Sequence, residues 1–249
     1  MTARTHGSVA ASLTVIVPAY NEAERLGAAL PPVLAWLDGY APTAQVLLVD
    51  DGSTDTTLAV CHRLAASDPR LQVASLGRNR GKGAAVRRGV ELADRDWILF
   101  TDADFSTPIA ELPRLSALAE AGAPIVIGSR DHKEARVERR QPLYRETMGR
   151  IFNRIVQAMA LPGFSDTQCG FKLFRADVAR RCFSRQTIER FAFDVEVLYV
   201  ARQLGYRIEE VGVCWRNDDR STVHPVRDAS RMLVDVARIR YRHRGHSDR

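Results

Sequence analysis

The chain has 249 residues, with 36 Lys and Arg against 30 Asp and Glu, a formal charge of +6 and 45% hydrophobic residues. This is the profile of a globular protein with room for one large domain or two small ones, and it excludes intrinsic disorder as the overall state. No apolar run approaches the ~20 residues that span a bilayer, no apolar core of a secretory signal opens the chain, and residues 1–11 read as a flexible tail.

Cys61, Cys169, Cys182 and Cys214 form no C-x-x-C pair of a zinc or redox site, and this fits a reducing cytoplasm. The charge is uneven. Residues 1–128 hold 11 basic and 14 acidic side chains, net −3, and residues 129–249 hold 25 and 16, net +9. A basic half can meet nucleic acid, an anionic membrane or an anionic substrate.

In chain order, Leu13 to Val17 is a β-branched run ended by Pro18, and Val46 to Val49 is a second one ended by Asp50-Asp-Gly-Ser53. Both predict buried strands. Between them Leu26, Ala29, Leu30, Val33, Leu34 and Leu37 keep helical spacing, interrupted by Pro31 and Pro32. The alternation continues with a helix over Thr54–Ala66, a strand over Leu71–Ser75, a helix over Gly83–Ala93, a strand over Trp97–Thr101, a helix after Pro108 and a strand over Pro124–Ile127. The pattern predicts an α/β fold, a mostly parallel, Rossmann-like sheet with flanking helices, whose ligands lie beyond the carboxyl ends of the strands.

After Gly128 comes an Arg- and Glu-rich loop, Arg130–Arg140, then an amphipathic helix over Leu143–Ala160 ended by Leu161-Pro-Gly163. A strand at Phe171–Phe174, helices at Ala176–Cys182 and Val195–Leu204, a strand at Ile208–Trp215 and a basic helix at Pro225–Arg242 complete the chain. Without a repeat or linker, the expectation is one domain over residues 12–225, with functional halves 12–128 and 129–225, and a basic amphipathic tail over 226–249.

This topology delivers Pro18-Ala-Tyr-Asn-Glu22, Asp50-Asp-Gly-Ser-Thr-Asp55 and Asp102-Ala-Asp104 to one edge of the sheet. Clustered carboxylates destabilise a site unless a cation or hydrogen-bond donors compensate them. Asp102 and Asp104 can share one hard cation, Mg²⁺ or Mn²⁺, that also takes nucleotide diphosphate oxygens. Taken singly, Asp50 and Asp55 can be turn and helix-cap residues, and for Asp55 and Ser53 that explanation is as good as a binding role. Gly77-Arg-Asn-Arg-Gly-Lys-Gly83 is one residue short of a phosphate loop and lacks the Ser/Thr after Lys82, yet Lys82 is placed to meet a nucleotide.

Val15-Ile-Val-Pro-Ala-Tyr-Asn-Glu22, Val49-Asp-Asp-Gly-Ser-Thr-Asp55, Gly81-Lys-Gly83 and Thr101-Asp-Ala-Asp104, in this order and spacing, resemble glycosyltransferase family 2 with its GT-A fold. Gly128-Ser-Arg130, Asp166-Thr-Gln-Cys-Gly-Phe-Lys172 and Phe193-Asp-Val-Glu196 resemble its dolichyl-phosphate β-glucosyltransferase branch, to which polyprenyl-phosphate mannosyltransferases are close. The resemblance implies that Pro18, Ala19, Tyr20 and Glu22 surround the nucleoside, that Asp51 bonds the base, with Asp50 and Gly52 beside it, and that Lys82 lies near base or ribose. It implies that Asp102, Ala103 and Asp104 bind ribose and diphosphate, and that Asp102 and Asp104 hold the metal with Ser106 close by, where some mannosyltransferases carry glutamine. The Gln-x-x-Arg-Trp signature of processive synthases is absent.

The expected reaction is therefore inverting transfer of a hexose, glucose from UDP-glucose ahead of mannose from GDP-mannose, to a polyprenyl phosphate. An ionised phosphate needs positioning more than a general base, and Arg130 and Arg145 are the candidate clamps, since guanidinium binds phosphate in a bidentate manner. A glycan hydroxyl acceptor would instead need a carboxylate base, Asp166 or Asp194. Against these roles, Asp166, Gln168 and Lys172 can simply brace a loop, Asp194 can cap the following helix, and Cys169 reads as a small buried residue. Arg136, Arg139, Arg140, Arg150 and Arg154 read as a solvated or membrane-facing surface.

The last segment, with seven arginines from Arg227 and with Met232, Leu233, Val236 and Ile239 at helical spacing, either lies on an anionic leaflet or packs on the domain. Polyprenyl chains are embedded in the bilayer, so an enzyme acting on their phosphates without a membrane span is expected to be cytoplasmic and attached peripherally to the inner face of the membrane. A membrane-protein partner and a homo-oligomer are both compatible with the sequence. Nucleic acid is not an expected partner, for no helix-turn-helix, zinc-finger or RRM signature is present.

Overall fold

The computed structural model describes residues 7–139, 149, 153–216 and 225–243. Residues 1–6 of the expected tail lie outside it, but Val9–Ala11 form a 3-10 turn with Val9 buried, and Ser8 Oγ and Val9 N both donate to Glu120 at 2.9 Å. The tail expectation therefore fails for residues 8–11, because Val9 finds a place in the core.

The first half follows the predicted alternation: β1 (Leu13–Ala19), α1 (Ala23–Tyr40), β2 (Gln45–Asp50), α2 (Thr57–Ser67), β3 (Leu71–Ser75), α3 (Lys82–Leu92), β4 (Trp97–Thr101), α4 (Leu112–Glu120) and β5 (Ile125–Ser129). Helix α1 runs through Pro31 and Pro32, where an interruption was expected. An interior proline costs about 3 kcal/mol, and Leu26, Leu30, Val33, Leu34 and Leu37, all buried on one face, offset it at about 1.5–3 kcal/mol each. Helix α2 starts three residues later than expected, since Thr54 and Asp55 are taken up in the turn that precedes it.

In the second half, β6 (Arg136–Arg139) lies in the segment expected to be a loop, and a helical stretch, α5, is described over 153–159. Then come β7 (Phe171–Arg175), α6 (Ala176–Phe183), α7 (Phe193–Gln203), β8 (Ile208–Gly212), β9 (Cys214–Arg216) and α8 (Pro225–Arg242). The seven-stranded sheet has the order β3-β2-β1-β4-β7-β5-β8. It is parallel except for β7, which inserts antiparallel between β4 and β5. The single strand expected over Ile208–Trp215 is broken: a Cβ at Gly212 would lie 2.5 Å from Ala135 N, so the 134–135 backbone crosses there, and β9 leaves to pair with β6.

Strand alternation divides the core between the two faces of the sheet. Ile16, Leu47, Ile98, Phe100, Ile127 and Phe174 face α3, α6 and α7, whereas Val15, Val17, Val46, Leu48, Leu99 and Leu173 face α1 and α4. In α8, Val236 and Ile239 are fully buried and join the first of these clusters. Of the two arrangements open to the C-terminal helix, packing on the domain is the one its apolar stripe adopts. Val234, Arg238 and Tyr241, at i, i+4 and i+7, point outward. Among the described residues no helix is long and apolar enough to cross a membrane.

Candidate active site

Parallel strands deliver their following loops to one edge, and the loops after β1, β2 and β4 meet there. Asp50 accepts from Gly52 N at 3.2 Å, Ser53 N at 3.1 Å and Ser75 Oγ at 2.8 Å. It closes its own turn, as a turn residue would. Asp51 is buried and accepts from Arg80 N and Gly81 N, both at 2.8 Å. Burial raises its pKa despite those two amides. Gly52 has φ +68°, and a Cβ there would lie 2.3 Å from the Arg78 backbone, so the 50–53 loop and the 77–81 loop interlock. Asp55 accepts from Thr57 N at 2.9 Å and so steadies the start of α2. Asn21, at φ 55°, ties the β1 loop to the β2 loop: its Oδ1 accepts from Thr54 N at 2.9 Å and its N donates to Ser53 Oγ at 3.0 Å. Beside it Tyr20 is exposed and Glu22 pairs with Arg25 at 2.9 Å. Pro18 and Ala19 form the buried end of β1.

At the end of β4, Lys82 Nζ stands 2.5 Å from Asp102 Oδ1, and Asp104 Oδ1 accepts from Ser106 N at 2.9 Å. Burial opposes the charge on Lys82, but Asp102, Asp194 and Asp104 outweigh it and hold the ammonium above the usual lysine range. Burial and the Asp102 charge raise the pKa of Asp104. Ala103 is buried between the two carboxylates. A Cβ on Gly170 would lie 2.1 Å from Asp102 Oδ2, so Asp102 occupies a cradle that only glycine leaves open. Two hard carboxylates, with buried Ser106 alongside, suit a divalent cation. Among the described residues no group of three or more His, Cys, Asp or Glu gathers around a metal position. A cation such as Mg²⁺ is usually bound by one or two carboxylates together with substrate phosphates.

The third group lies beyond β5. Arg130 donates through Nε at 2.6 Å and Nη2 at 2.9 Å to the two oxygens of Asp166, and its backbone N donates to Asp166 Oδ2 at 3.1 Å. Its guanidinium carbon also lies over the Trp215 ring, 5.6 Å from the ring centre. Burial penalises the Asp166 carboxylate, but Arg130 more than compensates and lowers its pKa to about 2. Glu210 in β8 accepts from Ser165 N and Asp166 N at 2.8–3.0 Å and holds this loop.

Asp194 lies inside the first turn of α7, after the Ala192 cap, and pairs with buried Lys172 at 2.6 Å. The cap expected of Asp194 is therefore not its contact. As for a base, both Asp194 and Asp166 are buried and held in ion pairs, so neither presents a carboxylate ready to accept a substrate proton. Burial pushes the Cys169 thiol up to about 11, consistent with a packing residue. Arg136 and Arg154 are exposed, Arg139 lies in β6, and Arg140, Arg145 and Arg150 lie outside the described residues. Gly170, Trp215, Glu210 and Glu196 were not singled out as site residues. Only their neighbours in space reveal them, although Gly170 and Glu196 sit within quoted motifs.

Residues 14–183 match the family described as Glycosyl transferase family 2. A dolichyl-phosphate beta-glucosyltransferase of Dictyostelium discoideum is 35% identical over 243 residues, spanning 93% of this chain and 74% of that protein. The enzyme of the same description from Homo sapiens is 34% identical over 244 residues, spanning 93% and 75%. Among solved structures, glucosyl-3-phosphoglycerate synthase from Mycobacterium tuberculosis, in complex with Mn²⁺, UDP-glucose and phosphoglyceric acid, shares the fold with a TM-score of 0.69. The likeness covers 93% of this chain and 80% of that one at 17% identity. With most of its length inside the family match, the chain belongs to glycosyltransferase family 2 and is a glycosyltransferase with the GT-A fold.

Proposed function

We propose that the enzyme transfers glucose from UDP-glucose to a polyprenyl phosphate such as dolichyl phosphate, with inversion at the anomeric carbon and with Mg²⁺ or Mn²⁺ as cofactor. The relatives' described activity supports the sugar and the acceptor. The observation that carries the reading is the segment 166–170, which at one end holds Arg130 through Asp166 and at the other backs Asp102 through Gly170. It ties a guanidinium and the acidic edge to the two ends of one short segment, an arrangement that supports transfer from a nucleotide sugar to an anionic acceptor.

Residues 12–128 form the donor half. Pro18, Ala19, Tyr20 and Glu22 flank the nucleoside, Asp51, with Asp50 and Gly52 shaping its turn, faces the base, and Lys82 sets a positive charge beside Asp102. A divalent cation held by Asp102 and Asp104, with Ser106 alongside, would neutralise the leaving diphosphate. Residues 129–225 form the acceptor half, where Arg130 orients the lipid phosphate and Asp166 and Trp215 hold Arg130 in place. Arg145, outside the described residues, is the second clamp. A phosphate oxygen forms the new bond to the anomeric carbon as the bond to UDP breaks, its electron pair leaving with the diphosphate. No proton needs removal from an ionised phosphate, and the engagement of Asp166 and Asp194 in ion pairs agrees with a reaction that uses no carboxylate base.

The outward residues Val234, Arg238 and Tyr241 of α8 suit peripheral contact with an anionic leaflet at the inner face of the membrane. The test is incubation with labelled UDP-glucose, Mg²⁺ and polyprenyl phosphate, with GDP-mannose and UDP-GlcNAc in parallel. A label extracted into organic solvent from UDP-glucose is expected. No organic-phase product from any donor would refute a lipid-phosphate acceptor. Arg130→Ala should raise the acceptor KM while leaving UDP affinity near that of the wild type.

A further inference from the structure

Glu196, in the first turn of α7, has no exposed surface and belongs to none of the groups described above. A carboxylate this deep costs several kcal/mol unless its lone pairs are taken. They are. Oε2 accepts from Thr187 N at 2.9 Å and Ile188 N at 2.8 Å, while Oε1 meets Thr187 Oγ1 at 2.7 Å and His243 Nε2, just past the end of α8, at 2.9 Å. Arg242 adds a bond from the same end, Nη1 to Thr187 Oγ1 at 2.9 Å. Glu196 thus fixes the loop between α6 and α7 and fastens the C-terminal helix to it.

That loop is a wall of the donor edge. Ala84 N donates to Glu189 O at 3.0 Å, Arg87 Nη1 donates to Gln186 O at 3.2 Å, and the Glu189 carboxylate pairs with Arg80 and Arg87. There is no clearance between the wall and the start of α3. A Cβ at Gly81 would lie 2.5 Å from Glu189 O, and one at Gly83 would lie 2.6 Å from Phe193 Cβ. A displacement of the 187–189 backbone must therefore move Gly81, whose N binds Asp51, and Lys82, which binds Asp102.

We propose that Glu196 is a positioning residue for donor binding, acting through the 187–189 loop on Gly81 and Lys82, and that α8 contributes to the same site through His243. The inference rests on the reading of the Asp51, Lys82 and Asp102 edge as the nucleotide site. A role in stability alone would lower the melting temperature and leave the affinity of the folded protein for nucleotide unchanged. A positioning role changes that affinity.

The probe is UDP with Mg²⁺, titrated calorimetrically into full-length protein, with steady-state kinetics alongside. Glu196→Ala should weaken UDP binding and raise the donor KM about tenfold, about 1.4 kcal/mol, with acceptor KM and kcat within about twofold of wild type. Glu196→Gln should restore binding, since its carbonyl oxygen can accept both backbone amides and its NH2 can donate to Thr187 Oγ1. His243→Phe, which keeps a ring against Tyr199, should weaken UDP about threefold, as expected for loss of one hydrogen bond. Unchanged UDP affinity in Glu196→Ala overturns the proposal. If that variant does not fold, Thr187→Val decides: about threefold weakening supports the proposal, and wild-type affinity overturns it. A wild-type protein that binds no UDP refutes the nucleotide-site reading itself, an outcome separate from equal binding by wild type and variant.

Discussion

Gly170→Ala tests the placement of Asp102 with the addition of one methyl group. The new Cβ would lie 2.1 Å from Asp102 Oδ2, 2.3 Å from Cγ and 2.5 Å from Oδ1, where an ordinary contact between carbon and oxygen is about 3.3 Å or longer. The carboxylate has to retreat by about 1 Å, and the strand cannot retreat instead, because Gly170 O accepts from Asp102 N at 3.2 Å at the start of the β4–β7 pairing. Gly170 has no positive φ, so alanine suits its backbone, and the Asp102 side chain is 37% exposed and can swing toward solvent. The fold should survive while the geometry at Asp102 is lost. A misplacement of about 1 Å lowers rates about 10²-fold, so kcat/KM should fall by about two orders of magnitude, equivalent to about 2.7 kcal/mol, with a shift in melting temperature of only a few degrees. Transfer of label from UDP-glucose to polyprenyl phosphate measures the first quantity, and Mn²⁺ affinity in the presence of UDP locates the defect. Gly39→Ala, where a Cβ meets nothing within 4 Å, is the control. Wild-type kcat/KM in Gly170→Ala would remove Asp102 from the reaction.

Asp104→Asn keeps an oxygen to accept from Ser106 N but loses the charge. With several kcal/mol of charge stabilisation at stake, transfer should fall about 10³-fold at an unchanged melting temperature, and retention of a tenth of the activity would refute the assignment. Lys172→Met strands the buried Asp194, and breaking such a pair costs about 3–5 kcal/mol. The nearby charge of Lys82 places the expected loss at the lower end, measured by urea unfolding, and a loss under about 1 kcal/mol would show that the pair does not hold β7 to α7. The Asp166 pKa falls to about 2 in the folded state from 3.8. A depressed folded-state pKa gives stability that is present in full above about pH 4 and is lost as the pH falls toward 2, about 2 kcal/mol in all. Unfolding curves at pH 6, 4 and 3 should show this loss in the wild type and a smaller one in Arg130→Ala; parallel losses would contradict the ion pair.

The gathering of the acidic loops at one sheet edge was legible because its physics is local. Short β-branched runs broken by Pro18, Asp50 and Asp102 define parallel strands, and parallel strands put every following loop on one side. What lay hidden depends on partners distant in sequence. Phe171–Phe174 reads as a strand, but its antiparallel place between β4 and β5 is chosen by packing against both. The break at Gly212 is set by the crossing of the 134–135 backbone, which no alternation pattern records. The charge count misleads for the same reason. The net +9 of residues 129–249 resembles a reserve of phosphate clamps, yet Arg130, Lys172, Arg175, Arg207, Arg216 and Arg238 are each paired with a carboxylate of that same half. Exposed pairs such as Arg175–Asp177 contribute little stability, and they leave the net +9 unchanged because their carboxylates are already counted in it; what they do is engage the paired side chains, so fewer cationic groups are open to a phosphate than the 25 basic residues of that half would suggest. At Arg130, the proposed clamp, Asp166 spans Nε and Nη2 and the guanidinium lies over the Trp215 ring, which would set the direction of the remaining donors. On the proposed reading of Arg130 as the acceptor clamp, Asp166 would serve to aim it, and Arg130→Lys, which keeps the charge but has no fork to aim, is expected to resemble Arg130→Ala in acceptor KM.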